Sequence, residues 1–411
     1  MLEAITIITF AGLVLASQRY MEFWNPYQIY FTVWFTAFLG YYFTADLFIP
    51  VASHFLLLLL TVHLFALVQL IIIAQQKRGT QTRRNKQSFG GIYLKRVFIL
   101  QLVALAVLPA TYYKAVEMSG GENIFSVPGY MKLRLSMTGD DNADYGILAY
   151  AAILSYAVSS VSATAFHRGE LGLLRLLMSV AVSLGYLYLS TGRTAILMFT
   201  IVVFGPFFVI GAVGRKGLII ASVFLLISFT LIAAMTSKGI SVDANAADNA
   251  SSFLKNIVGY TTAPLVALSK IVDSNIQLDW GANTFRFIIA LQYKLGISSV
   301  SPIDLVRDFV SVPIETNVFT VYEVYFRDFS HIGFIIPPAL LLVHYYLYNK
   351  ARNTGGRWIF YYSASVYPLV MQFFQDQYFS LLSTWMQMYL IYWLLCRSAD
   401  TALEVKGKDH A

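Results

Sequence analysis

The stretch VASHFLLLLLTVHLFALVQLIIIAQ, Val51 to Gln75, decides the fold class. It contains no Asp, Glu, Lys or Arg, and Lys77 and Arg78 follow it closely. A helix rises about 1.5 Å per residue, so about 20 apolar residues cross a hydrocarbon core about 30 Å thick. Similar runs recur along the whole chain. Only 12% of residues are charged and 57% are hydrophobic, with a mean hydropathy of +0.63. A soluble chain carries about 25% charged residues. The composition therefore predicts an all-α, polytopic bundle of transmembrane helices.

Eleven spans are expected, at about 2–18, 27–46, 51–75, 96–116, 146–166, 172–190, 194–213, 217–236, 331–349, 357–374 and 379–396. They divide the chain into a transmembrane bundle (1–236), a large loop of amphipathic helices (237–330), a second set of transmembrane helices (331–397) and a tail (398–411). Basic residues gather in alternate connections. These are Lys77 to Arg96, His167–Arg168, Arg215–Lys216, Lys350 to Arg357, and Lys406 with Lys408 in the tail. The positive-inside rule makes that side cytoplasmic, with the N-terminus outside and the C-terminus inside. The net charge of +7 is thus a topology signal, and nucleic acid is not an expected partner. The single cysteine, Cys396, excludes an intrachain disulfide framework and a CxxC metal site. The first apolar run lacks the basic flank of a signal peptide, and no internal repeat of the transporter kind is visible.

Polar groups cluster on the expected outer side. YLYLSTGRTAILMF (Tyr186–Phe199) sets Arg193 and Thr194 between two apolar runs, and NTFRF (Asn283–Phe287) carries Arg286. VRDFVSVPIETNVFTVYEVYFRDFSHIGF (Val306–Phe334) carries Arg307, Asn317, Thr320, Tyr322, Glu323, Arg327, Asp328 and His331. A helix from about Thr316 would put Thr316, Thr320, Glu323, Arg327 and Ser330 on one face. Guanidinium groups bind phosphate bidentately and stay charged at low dielectric. Arg193, Arg286, Arg307 and Arg327 therefore point to an anion such as a pyrophosphate, whose departure they would also stabilise. Each has a structural alternative. Arg193 at a span end can snorkel, and Glu323 and Arg327, at i and i+4, can simply pair. His54, His63 and His344 lie in apolar runs, where they are expected to hydrogen-bond a neighbouring helix. No metal motif and no P-loop occurs, so no metal is expected.

NPYQIYFTVWF (25–35), STGRTAIL (190–197) and NVFTVYEVYFRDFSHIGF (317–334) resemble the bacterial oligosaccharide repeat-unit polymerases, or O-antigen polymerases. The resemblance covers most of the chain as a layout of spans and loops. It implies a GT-C-like glycosyltransferase of the inner membrane, independent of nucleotide, metal and any other cofactor. That enzyme moves a glycan from undecaprenyl pyrophosphate to a fresh lipid-linked repeat unit on the periplasmic face. A chain-length regulator of the polysaccharide co-polymerase type would be its partner, beside the bilayer itself. Arg193 carries over as the arginine of the GRT motif; Arg286, Arg307, Arg327, Thr194, Asn317, Thr320 and Tyr322 would then bind pyrophosphate or glycan. The related ligases use a histidine-asparagine pair where this chain has Thr316-Asn317, which speaks against a ligase and leaves the base open among Glu323, Asp328 and His331. The competing readings are a ligase-like polyprenyl-glycan transferase and a transporter or flippase for an anionic lipid. The gathering of charge on one face favours surface chemistry over alternating access.

Overall fold

The computed structural model describes residues 2–20, 24–78, 90–138, 143–212, 217, 258–274 and 276–397. The expected span at 217–236 lies outside these residues apart from Gly217. So do Arg215–Lys216 and the tail. The protein is helical and embedded in the membrane. Among the described residues six helical stretches are long and apolar enough to cross a bilayer: Leu2–Arg19, Ser53–Gln76, Leu94–Met118, Gly146–His167, Leu173–Ser190 and Tyr322–Asn353. Contacts group the chain into two compact units.

The first unit spans residues 1–83, 254–346 and 368–382. It begins with α1 (Leu2–Tyr20), α2 (Pro26–Thr44) and α3 (Ser53–Arg78), which pack on one another. Asn25 caps α2 by accepting from the Gln28 amide at 2.9 Å, and Pro26 takes the first helical position, where no N–H is needed. α2 is not among the six because its tyrosines lower its hydropathy. Three of its four tyrosines are buried with satisfied hydroxyls: Tyr27 donates to Gln69 and Tyr41 to Glu3, each at 3.2 Å, and Tyr30 meets Tyr322 at 2.9 Å. His63 is buried in a ring cluster and bonds the Leu59 carbonyl oxygen at 2.7 Å. His344 is buried on Tyr378 at 3.2 Å. His54 is exposed and pairs with Asp273, at the C-terminal end of a neighbouring helix, at 2.7 Å, whereas the His63 bond stays within its own helix, contrary to expectation.

The described part of the large loop, 258–274 and 276–330, holds two helices of different character. α9 (Ala263–Val272) is buried almost throughout, whereas α10 (Arg286–Lys294) has no buried residue. A two-residue hairpin follows, β1 (Val310–Ser311) against β2 (Glu315–Thr316), with Val310 opposite Thr316. The single helix expected from Thr316 is therefore corrected. Thr316 lies in a strand, 317–320 has no regular secondary structure, and α11 covers only Tyr322–Phe329. A 3-10 segment, Ser330–Ile335, joins α11 to α12 (Ile336–Asn353). Ser330 has φ 55°, which ends the helix and removes it from the expected polar stripe.

Gly333 makes the α11 to α12 corner possible. A Cβ there would sit 2.1 Å from the Tyr325 carbonyl oxygen, a backbone atom that cannot swing aside. Gly333→Ala is expected to cost about 1–3 kcal/mol, the range for overpacking. Thermal unfolding of the purified protein in detergent would show this as a lowered Tm, and an unchanged Tm would mean the corner adapts.

The second unit spans residues 84–253, 347–367 and 383–411. It holds α4 (Leu94–Met118), α5 (Val127–Thr138), α6 (Ala149–His167), α7 (Leu173–Ser190) and α8 (Arg193–Val209), with α13 (Arg357–Val370) and α14 (Leu382–Leu395). Small hydroxyl residues let its helices approach closely, as expected in lipid. Ser159 bonds Ser183 at 2.8 Å and Ser160 donates to the Val202 carbonyl oxygen at 2.6 Å. Residues 91–93 clasp 395–397 through Tyr93 N–H to Leu395 O and Arg397 N–H to Gly91 O. The Tyr93 ring there carries the guanidinium groups of Arg96 and Arg397 at 4.2 and 4.8 Å. Cys396 is free and buried in this clasp.

Candidate functional site

Within the first unit, α11 carries the polar cluster that the sequence singled out, and its other faces are anchored. The Tyr322 hydroxyl meets Tyr30 at 2.9 Å, and its ring stacks on Phe334 at 4.8 Å between centroids. The Tyr325 hydroxyl donates to Asp376 at 2.8 Å. The Val321 N–H donates to the Gln372 carbonyl at 2.8 Å, while the Gln372 side chain accepts from Trp34 at 3.1 Å. Burial pushes the Asp376 carboxyl up from its usual range, and bonds from Ser380, Tyr325 and Tyr378 pull it partly back. Tyr322, expected at the substrate, is thus turned into the core with no exposed surface. Thr320, also buried, receives the Tyr322 N–H at 3.4 Å as α11 begins.

Glu323 and Arg327 lie one turn apart on the remaining face. Glu323 is buried, and its Oε1 takes the Nε of Arg307 at 3.0 Å together with the Nε of Arg327. Its Oε2 is reached by Arg307 Nη2 at 3.5 Å. The same Nη2 donates to Asn283 Oδ1. Asn283 ties this pair to Asp328. The Asp328 carboxylate accepts from the Asn283 N–H at 3.1 Å and Nδ2 at 2.8 Å, and from the Thr284 N–H at 2.7 Å and hydroxyl at 2.6 Å. Arg286, three residues on, donates from Nε to the Ile303 carbonyl oxygen. Burial lowers its pKa from the usual arginine value; Asp304 raises it and Arg307 adds to the lowering.

The structure therefore brings Arg307, Glu323, Arg327 and Asp328 together through Asn283, with Arg286 close enough to feel Arg307. It holds the three candidate bases differently. Asp328 already accepts four hydrogen bonds. Glu323 is engaged by two cations. His331 is exposed in the 3-10 segment, with Nδ1 3.2 Å from the Ser330 hydroxyl and its ring edge-on to Phe326. Asn317 is half-buried in the irregular link before α11.

Arg193 and Thr194 belong to the second unit and open α8. A cation at a helix N-terminus opposes the helix dipole, so this position is not a helix-stabilising one. α7 ends at Thr191 in the left-handed conformation, φ 51°, and the Thr191 carbonyl oxygen accepts from Arg134 at 2.7 Å. Arg134 escaped the sequence reading, as did Asn283 and Thr284 as ligands of Asp328. NTFRF had drawn notice for its arginine only, and nothing in a sequence signals a partner 45 residues away.

No family model, curated protein or solved structure matches the chain.

Proposed function

We propose that the protein is a membrane glycosyltransferase that extends a glycan carried on a polyprenyl pyrophosphate, in the manner of a repeat-unit polymerase. One observation supports this reading above the rest. Two arginines, one from a loop and one from the helix that leads into a span, face a single carboxylate oxygen. In that trio two positive charges meet one negative charge, and both arginine side chains keep some exposure, 17% for Arg307 and 27% for Arg327. Glu323 orders the pair; Arg307 Nη1 holds the Asp304 carbonyl oxygen only loosely, at 3.4 Å, and with the Nη groups of Arg327 it suits a phosphate oxygen.

In this reaction the acceptor sugar hydroxyl attacks the anomeric carbon of the donor glycan. The carbon–oxygen bond to the pyrophosphate breaks, and polyprenyl pyrophosphate leaves with the bonding electrons. Arg307 and Arg327 carry the charge that grows on it. The hydroxyl proton passes to a base, a role for which His331 has the most accessible lone pair of the three candidates. The chemistry uses no nucleotide and no metal. The proposed orientation puts the loop on the periplasmic face of the bacterial inner membrane, where a chain-length regulator would bind.

Glu323→Gln tests the ordering role. The amide keeps the shape of the side chain and loses the charge that holds two guanidinium groups in register. Chain growth is expected to fall several-fold while the amount of inserted protein stays the same. An unaltered glycan ladder would reduce the trio to a structural ion pair.

A further inference from the structure

We infer that the segment from Trp280 to Phe309 lies on the bilayer, with the outward face of α10 sunk into the boundary between headgroups and acyl chains. α10 has no buried side chain. Ile288, Leu291 and Leu295 fall at i, i+3 and i+7, so they share one face, and they are 48%, 48% and 64% exposed. Phe285, at 51%, extends the same face. Arg286 lies on the opposite side, and its bond to the Ile303 carbonyl oxygen turns that side toward the loop, while Lys294, three residues after Leu291, borders the apolar face. The apolar face therefore looks away from the protein. The flanking chain continues the pattern, with Trp280 80% and Phe309 65% exposed.

A helix with one apolar face, a lysine at its border, an arginine behind it and a tryptophan beside it has the composition of an element that lies in the interfacial plane. The bilayer is the occupant that the rest of the unit already meets. Its candidate spans present Leu15, Leu57 and Val343 outward, each more than half exposed. An apolar face of this extent left in water is unusual for a folded surface. Seated this way, α10 holds Arg286 and the neighbouring Arg307 at headgroup depth, the level of any phosphate carried on a membrane lipid. The inference rests on the membrane placement of this unit and not on the proposed reaction.

The test uses the full-length protein in lipid nanodiscs with an environment-sensitive fluorophore on Leu291→Cys, and separately on Leu295→Cys. Both positions are exposed, so neither change disturbs packing, and Cys396 is 1% exposed and shielded from the label. Nitroxide lipids labelled at the upper acyl carbons are expected to quench most of the emission at both sites, and aqueous iodide little of it. The apolar face of an interfacial helix reaches about 5–10 Å into the boundary, so nitroxide at the chain ends is expected to quench less. Stronger quenching by iodide than by the lipids would overturn the inference by placing the face in water. Protection from both quenchers would overturn it by showing a protein surface, such as a second copy, over the helix.

Discussion

Asp328→Ala is expected to unfold the turn at 279–284 and to abolish activity with it. The carboxylate is fully buried and accepts from two backbone amides, one side-chain amide and one hydroxyl. Alanine leaves the Asn283 and Thr284 N–H groups without an acceptor in a site closed to water. A stranded buried donor costs about 1–3 kcal/mol, so the two amides alone cost about 2–6 kcal/mol, against a total stability of about 5–15 kcal/mol for a typical domain. The damage also spreads, because Asn283 is the acceptor that holds Arg307 Nη2. Limited proteolysis should cut first near residues 279–284, and Tm should fall by more than for any of the arginine changes. Asp328→Asn, which keeps one acceptor oxygen but turns an NH2 toward two donors, should lie between. A wild-type Tm for Asp328→Ala would mean that other groups or water satisfy the turn.

Arg307→Ala and Arg327→Ala are expected to separate binding from folding. Removing either arginine leaves Glu323 paired with the other, one carboxylate to one guanidinium, so no buried charge is stranded. The protein should stay inserted and folded. The rate should nonetheless fall, because a hydrogen bond to a charged group contributes about 1.5–3 kcal/mol, worth about ten- to a hundred-fold when made to the transition state. Lysine in place of either arginine keeps the charge but loses the planar fork, and should restore only part of the rate. Glu323→Ala behaves differently. It leaves two guanidinium groups facing each other in a half-buried site, and the loss should appear in Tm as well as in rate. Equal effects on Tm and rate for both arginine changes would mark the trio as scaffolding.

The helical, membrane-crossing character was legible in runs such as Val51–Gln75, because apolar length is a local property. The apolar run at 27–46 corresponds to α2, although its polar aromatic residues keep that helix below the hydropathy of a full span. The polar stripe was half legible. Glu323 and Arg327 are one turn apart and do share a face, but Thr316 and Ser330 were assigned to it through a helix that the chain does not form. The Thr316 side is taken by a hairpin, and Ser330 by a backbone conformation that stops the helix. Arg307 was picked out by its charge, while its attachment to Glu323 depends on a loop closing over 16 residues, which spacing alone does not encode. The four-fold engagement of Asp328 had no sequence signal, since two of its donors are backbone groups. Residue type thus showed where charge would gather, and only the fold showed which charges are spent on one another.

The most direct test is chain growth by the purified protein, reconstituted in bilayers with polyprenyl-pyrophosphate-linked repeat units and no other enzyme. The account predicts a ladder of lengthening glycans, release of one polyprenyl pyrophosphate for each linkage formed, and loss of both in a folded Arg307→Ala, Arg327→Ala double variant. A double variant that is inserted, folded and as active as the wild type would contradict it, as would folded wild-type protein that leaves the repeat units unjoined.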